Sequence, residues 1–220
     1  MALSKLTYNS LNVTAAASKG IGFDSDPDAL QADYSAGAMT FIKKLTASSS
    51  ATLSFVDGSA SVVLDNTYKE YIFTWKNMHP ATDNVSFQFN GSDDDSSHSY
   101  DVTKTTTFFQ ATHNQAGDTS GLAYEGSQDL AQGTGFANLL VNMGNDNDKS
   151  ANGYFHLFNP SSTTFVKHFI SVGQGETHDN YQNNVYTGGY FNTTADITAI
   201  QFKFSSGNID AGDICLYGIS

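Results

Sequence analysis

The 220-residue chain contains no arginine; all ten of its basic residues are lysine. The planar fork that proteins use on phosphates and guanine edges is therefore missing. A formal net charge of −12 also repels polyanions, so nucleic-acid binding is excluded on both counts. Glutamate is nearly as scarce, with only Glu70, Glu125 and Glu176. One cysteine, Cys215, excludes an intramolecular disulfide framework and a cysteine-rich zinc site. It stands in an alternating apolar run, where a small buried hydrophobe is expected. No apolar run reaches transmembrane length, and Met1-Ala2-Leu3-Ser4-Lys5 lacks the apolar stretch of a signal peptide. The expectation is a protein made in the cytoplasm and not inserted into a membrane.

What remains is rich in Ser, Thr, Asn, Asp and Gly, with sixteen Phe and eleven Tyr to fill a core. This composition disfavours a helix-rich enzyme and favours pleated structure. Residues 1 to about 36 are small, polar and aperiodic, apart from a short helix that Pro27 could open after Asp26. Residues 1–38 are taken as an irregular N-terminal arm serving attachment, and 39–220 as the folded domain.

From Met39 the period becomes two. Strands are expected over Met39–Leu45, Ala51–Val56, Tyr68–Trp75, Asn84–Asn90, Thr105–His113, Gly153–Phe158, Thr163–Val172, Val185–Phe191, Ile197–Phe204 and Ile214–Ile219. Turns are expected at Ser48–Ser50 and Asp57-Gly58. Tyr71, Phe73 and Trp75 share one face; Val85, Phe87 and Phe89 point inward, with Ser86, Gln88 and Asn90 outward. Strands without intervening helical patterns predict an all-β, antiparallel two-sheet jelly-roll-like sandwich, with an open barrel as second choice.

Three stretches carry a resemblance: Phe41-Ile42-Lys43-Lys44-Leu45 with Tyr68–Phe73; Asn77-Met78-His79-Pro80-Ala81-Thr82-Asp83-Asn84; and His156–His168 with Phe202–Gly212 and the closing Leu216-Tyr217-Gly218-Ile219. Over roughly residues 39 to 220 the chain resembles jelly-roll virion structural proteins of tailed bacteriophages, especially those of marine cyanobacteria. The resemblance implies a particle component that contacts other virion proteins, namely the major capsid protein or tail parts, and its own copies. Head decoration is the first expectation. The alternative is a tail or fibre appendage binding a host-surface glycan or receptor.

No catalytic motif stands out, and no catalytic residue or cofactor is assigned. Glu70 beside Tyr71 is weighed as a glycosidase carboxylate and set against a solvated outward residue. The six histidines lack ligand spacing; His156 and His168 are expected to form a structural pair across a hairpin. The acidic stretches Asp24–Asp28, Asp93–Asp95 and Asn145-Asp146-Asn147-Asp148 offer hard oxygen ligands. The last is the preferred calcium candidate, although it lacks the distal glutamate of a full loop. Trp75 is assigned to the core, and Tyr181, Tyr186 and Tyr190 to possible surface contact.

Overall fold

A computed structural model describes residues 38–220 and, before them, only the two-residue strands β1 (Gly22–Phe23) and β2 (Leu30–Gln31), which pair antiparallel. The chain divides into the units Met1–Gly37 and Ala38–Ser220. The expected helix after Asp26 and the Asp24–Asp28 cluster lie outside the described residues.

The second unit is all-β. Its strands are β3 (Met39–Ser50), β4 (Leu53–Val56), β5 (Glu70–Pro80), β6 (Val85–Ser92), β7 (Lys104–Asn114), β8 (Ser120–Tyr124), β9 (Ala137–Met143), β10 (Ala151–Phe158), β11 (Lys167–Glu176), β12 (Tyr181–Phe191), β13 (Ala199–Phe204) and β14 (Ile209–Ile219). An eight-stranded sheet runs β3-β14-β5-β10-β11-β12-β7-β8, and a four-stranded sheet runs β4-β13-β6-β9.

The pairing explains the shape. The antiparallel pairs β3·β14, β4·β13, β5·β10 and β6·β9 join the first half of the domain to the second, alternating between the sheets. This is one long hairpin wound around a core, the plan of a jelly roll. Two hairpins are added to it. β7–β8 is inserted between β6 and β9, and β11–β12 between β10 and β13. Together they extend one sheet by four strands.

Alternating residues of both sheets meet in an aromatic core. Tyr71, Phe73 and Trp75 from β5 and Phe155 from β10 face Phe87 and Phe89 from β6 and Phe202 from β13, all essentially buried. Between the sheets the rings meet edge-on or tilted, with Phe89 and Phe155 centroids 4.4 Å apart and Trp75 and Phe87 5.5 Å apart. Burial of each such side chain stabilises by about 1.5–3 kcal/mol. Asp57-Gly58 makes its turn with Gly58 at φ +71°. At the far end of the added strands, Lys104 and Lys167 lie in one row on either side of Phe191, fully buried. Their ammonium groups donate to loop carbonyls, Lys104 to Gly135 at 2.7 Å and Lys167 to Ser162 and Thr193, fastening loops over the core's edge.

Several expectations need correction. Asn90 is buried, because its amide donates to the Thr134 carbonyl and accepts from the Gly91 N–H. Cys215 is only half-buried: its neighbours Ile214 and Leu216 take the core side, which turns the thiol outward. The strand expected from Thr163 begins at Lys167, since Ser162 holds a turn by accepting the Thr164 and Phe165 N–H groups. Strand β3 continues through Ser50, so the Ser48–Ser50 reversal falls just beyond it.

Candidate functional site

Strand register places outward side chains in rows across the eight-stranded sheet. One row runs Lys44–Cys215–Thr74–Tyr154–Val172–Tyr186–Phe109–Tyr124 from edge to edge. Its first part lies on jelly-roll strands and is ionic in surroundings. Asp213 lies 3.5 Å from Lys44 and 3.6 Å from Lys76, and accepts from the Thr46 hydroxyl at 2.6 Å. That hydroxyl, with the two lysines, holds the Asp213 carboxyl below the usual carboxylate range.

From Tyr154 onward the row becomes a ribbon of rings. Tyr154, Tyr186, Phe109 and Tyr124 are all exposed. Phe109 and Tyr186 stack face to face across β7 and β12, with centroids 4.9 Å apart and planes within 5°. The Tyr124 hydroxyl donates to Asp129, which fixes the outer end and raises the Tyr124 pKa. Beside the ribbon runs a parallel row, Asn152–Gln174–Asn184–Ala111–Leu122. Between the two rows lies a groove of about 250 Å³, lined by Asn152, Tyr154, Val172, Gln174 and Asn184 over the backbone of Gly153 and Gly173.

Those two glycines are cross-strand partners with a purpose on the core side. A Cβ at Gly153 would come within 2.7 Å of the Trp75 indole, and one at Gly173 within 3.3 Å. Their bareness lets the indole press against the underside of the groove floor. Trp75 is thus a core residue, as its neighbours on β5 suggested.

The three tyrosines singled out in sequence separate here. Tyr186 belongs to the ribbon. Tyr190 is half-buried on the same outward side, beside His168, with rings 5.8 Å apart. Tyr181 sits at the opposite parity of β12 and lines a separate pocket of about 190 Å³ with Gln110, Asn142, Asp179 and Asn183. Phe109, Tyr124 and Tyr154 were not foreseen. Their signal was present in the alternation of Thr105–His113 and Gly153–Phe158, but the faces could not be assigned without the register.

The calcium candidate is already engaged. The Lys149 ammonium lies 2.8 Å from the Asp146 carboxylate, and the Asn145 N–H donates to Asp83. Asn147 and Asp148 turn to a cleft shared with His79 and Asp210. In the Asp93–Asp95 loop, the Asp94 carboxylate accepts the N–H groups of Ser97, His98 and Ser99 at 2.7–2.9 Å. These bonds hold its carboxyl far below the ordinary range. Among the described residues no three His, Cys, Asp or Glu side chains are grouped to hold a metal ion.

His156 does not pair with His168. Its register partner on β11 is Ile170, and its Nε2 lies 3.0 Å from Glu70 Oε2 on the other flanking strand. Glu70 is consequently engaged with an outward histidine. Compared with protein-family models, curated proteins and solved structures, the chain matches none.

Proposed function

We propose that the protein is a non-enzymatic structural subunit displayed on the outside of a tailed-phage particle, in the first instance a decoration of the head. The observation that carries the reading is the outer face of the eight-stranded sheet. It presents rings and amides on rigid strands, a geometry suited to display toward the outside of a particle. The jelly roll beneath it fits the resemblance of residues 39–220 to virion proteins, and the acidic surface suits a soluble particle exterior. Residues 1–38 serve as the attachment arm in this reading, and neighbouring copies and the capsid protein are the partners.

Purified virions give the test. Quantitative gel staining should place the protein at a stoichiometric ratio to the major capsid protein, and heads separated from tails should retain it. Deleting residues 1–36 should leave the domain folded and abolish loading onto heads. A few copies per particle, found only in the tail fraction, would overturn the head assignment. Full loading of the truncated protein would remove the arm as anchor.

A further inference from the structure

The groove and ribbon carry an inference that goes beyond a particle subunit and does not depend on where on the particle it sits. We propose that this face is a binding site for a neutral polysaccharide, whose sugar rings stack on Tyr154 and Tyr186 while the amides of Asn152, Gln174 and Asn184 bond their hydroxyls.

The chemistry follows from what the two rows offer together. A pyranose presents a patch of C–H groups on its flat face and hydroxyls around its rim. Flat aromatic rings accept the first, and planar amides, which both donate and accept, match the second. Here the two kinds of group run as parallel rows on either side of a groove. The Asn184 amide oxygen is enclosed and has no donor within the protein. Strand-borne rings lose little freedom on binding, unlike residues on long loops.

Charge decides between sugar classes. The chain carries −12, yet the ribbon from Tyr154 to Tyr124 and the row beside it contain no Asp, Glu or Lys; of the carboxylates at their border, Asp129 accepts from Tyr124 and Glu176 from Gln115. An uncharged strip on an acidic protein disfavours uronic or sulfated polymers, which the surrounding field repels, and admits neutral ones. Size decides against a second protein. Five strands at about 4.8 Å spacing and two rows of side chains cover on the order of 250 Å². A stable protein interface buries about 800 Å² on each partner. A narrow strip several sugar rings long fits a polymer chain better than a protein surface.

Trp75 supplies a built-in reporter, as the only tryptophan and as the ring beneath the groove floor. The full-length protein is titrated with cellohexaose, laminarihexaose, mannohexaose and, as an acidic control, hexagalacturonate, followed by calorimetry and Trp75 fluorescence. At least one neutral hexasaccharide should bind with a fluorescence change, and hexagalacturonate should bind at least about tenfold more weakly. Tyr154→Ala and Tyr186→Ala should each weaken binding by about tenfold or more with an unchanged circular dichroism spectrum. Phe165→Ala, which removes an exposed ring elsewhere, should leave it unchanged. Three results overturn the proposal. One is no neutral binding up to about 5 mM, a free energy too small for recognition. Another is equal binding by wild type and the Tyr154→Ala/Tyr186→Ala protein. The third is sedimentation showing a wild-type oligomer that Tyr186→Ser dissolves, which would assign the face to self-association.

Discussion

The two halves of the eight-stranded sheet share a core and differ on the outside. On β3, β14, β5 and β10 the outward positions hold the paired Lys44, Lys76 and Asp213 and the bonded Glu70 and His156, beside the exposed Phe41 and Tyr154. On β11, β12, β7 and β8 the exposed positions carry Ile170, Tyr186, Phe109, Leu122 and Tyr124. The first half belongs to the jelly-roll hairpin. The second is made by two insertions into it. The wound hairpin supplies a fold that needs only its inner face, and the insertions add area whose outer face is free to carry contact chemistry.

If both halves rest on one core, the largest effect should come from within it. Phe87 stacks on Phe202 and packs against Trp75 and Phe204. Phe87→Asp buries an unpaired carboxylate at a cost of several kcal/mol, comparable to a domain's total of about 5–15 kcal/mol. Circular dichroism and hydrogen exchange should show both halves unfolded. Protection surviving in β11, β12 and β7 would make the extension an independent unit.

A second effect should be confined to the extension. Burial lowers the Lys104 pKa to about 8, and burial lowers that of Lys167 as well. Below pH 8, Lys104 is charged in both states, and the folded state bears the desolvation penalty. As pH rises past 8 the folded site gives up its proton while the unfolded chain keeps its own to about 10.4, so stability rises with pH. Urea unfolding should show a gain of about 2 kcal/mol between pH 8 and 10. The gain should shrink in Lys104→Met. Tyr71, whose pKa burial raises, opposes this only above pH 10, where the unfolded tyrosine ionises first. A flat profile across that window would show that water reaches the Lys104 ammonium.

Outer-face substitutions should cost little in either half. Tyr186→Ala loses one stacked cross-strand pair, about 0.5–1.5 kcal/mol. Asp213→Asn loses exposed ion pairs, about 0.2–1 kcal/mol. Urea midpoints should shift by these amounts; a loss above about 3 kcal/mol at Tyr186 would mean the ribbon is part of the core. The smallest effect concerns calcium. Because Lys149 already neutralises Asp146, millimolar calcium should leave the melting temperature unchanged, and an upward shift would restore the Asn145–Asp148 loop as a site.

The same contrast governs what could be read from sequence. Strands with one wet and one dry face, such as β5 and β6, declare themselves by alternation, and they located the core. Two strands were missed because they lack it. β8 is exposed along its whole length, and β9 is almost wholly buried, so neither shows a period of two. The expected strands stop at Val172 and resume at Val185, yet the Gly-, Asn- and Gln-rich stretch between them is mostly paired β11 and β12, held by the ladder from Gly173↔Val185 to Glu176↔Gln182. The candidate site suffered most. Tyr154, Tyr186 and Phe109 are far apart in the chain, and only strand register joins them; sequence spacing carries no trace of that row.

The surface that faces outward when the protein is in place decides between attachment through residues 1–38 and attachment through the aromatic face. Tyrosine nitration of intact virions, mapped by mass spectrometry and compared with the free protein, addresses this directly. Tyr154, Tyr186 and Tyr124 should react equally in both, while Tyr8 and Tyr34, in the segment proposed for attachment, should be protected on the particle. Protection of the ribbon tyrosines, with the arm left reactive, would contradict the account: the aromatic face would be the attachment surface and the arm would not.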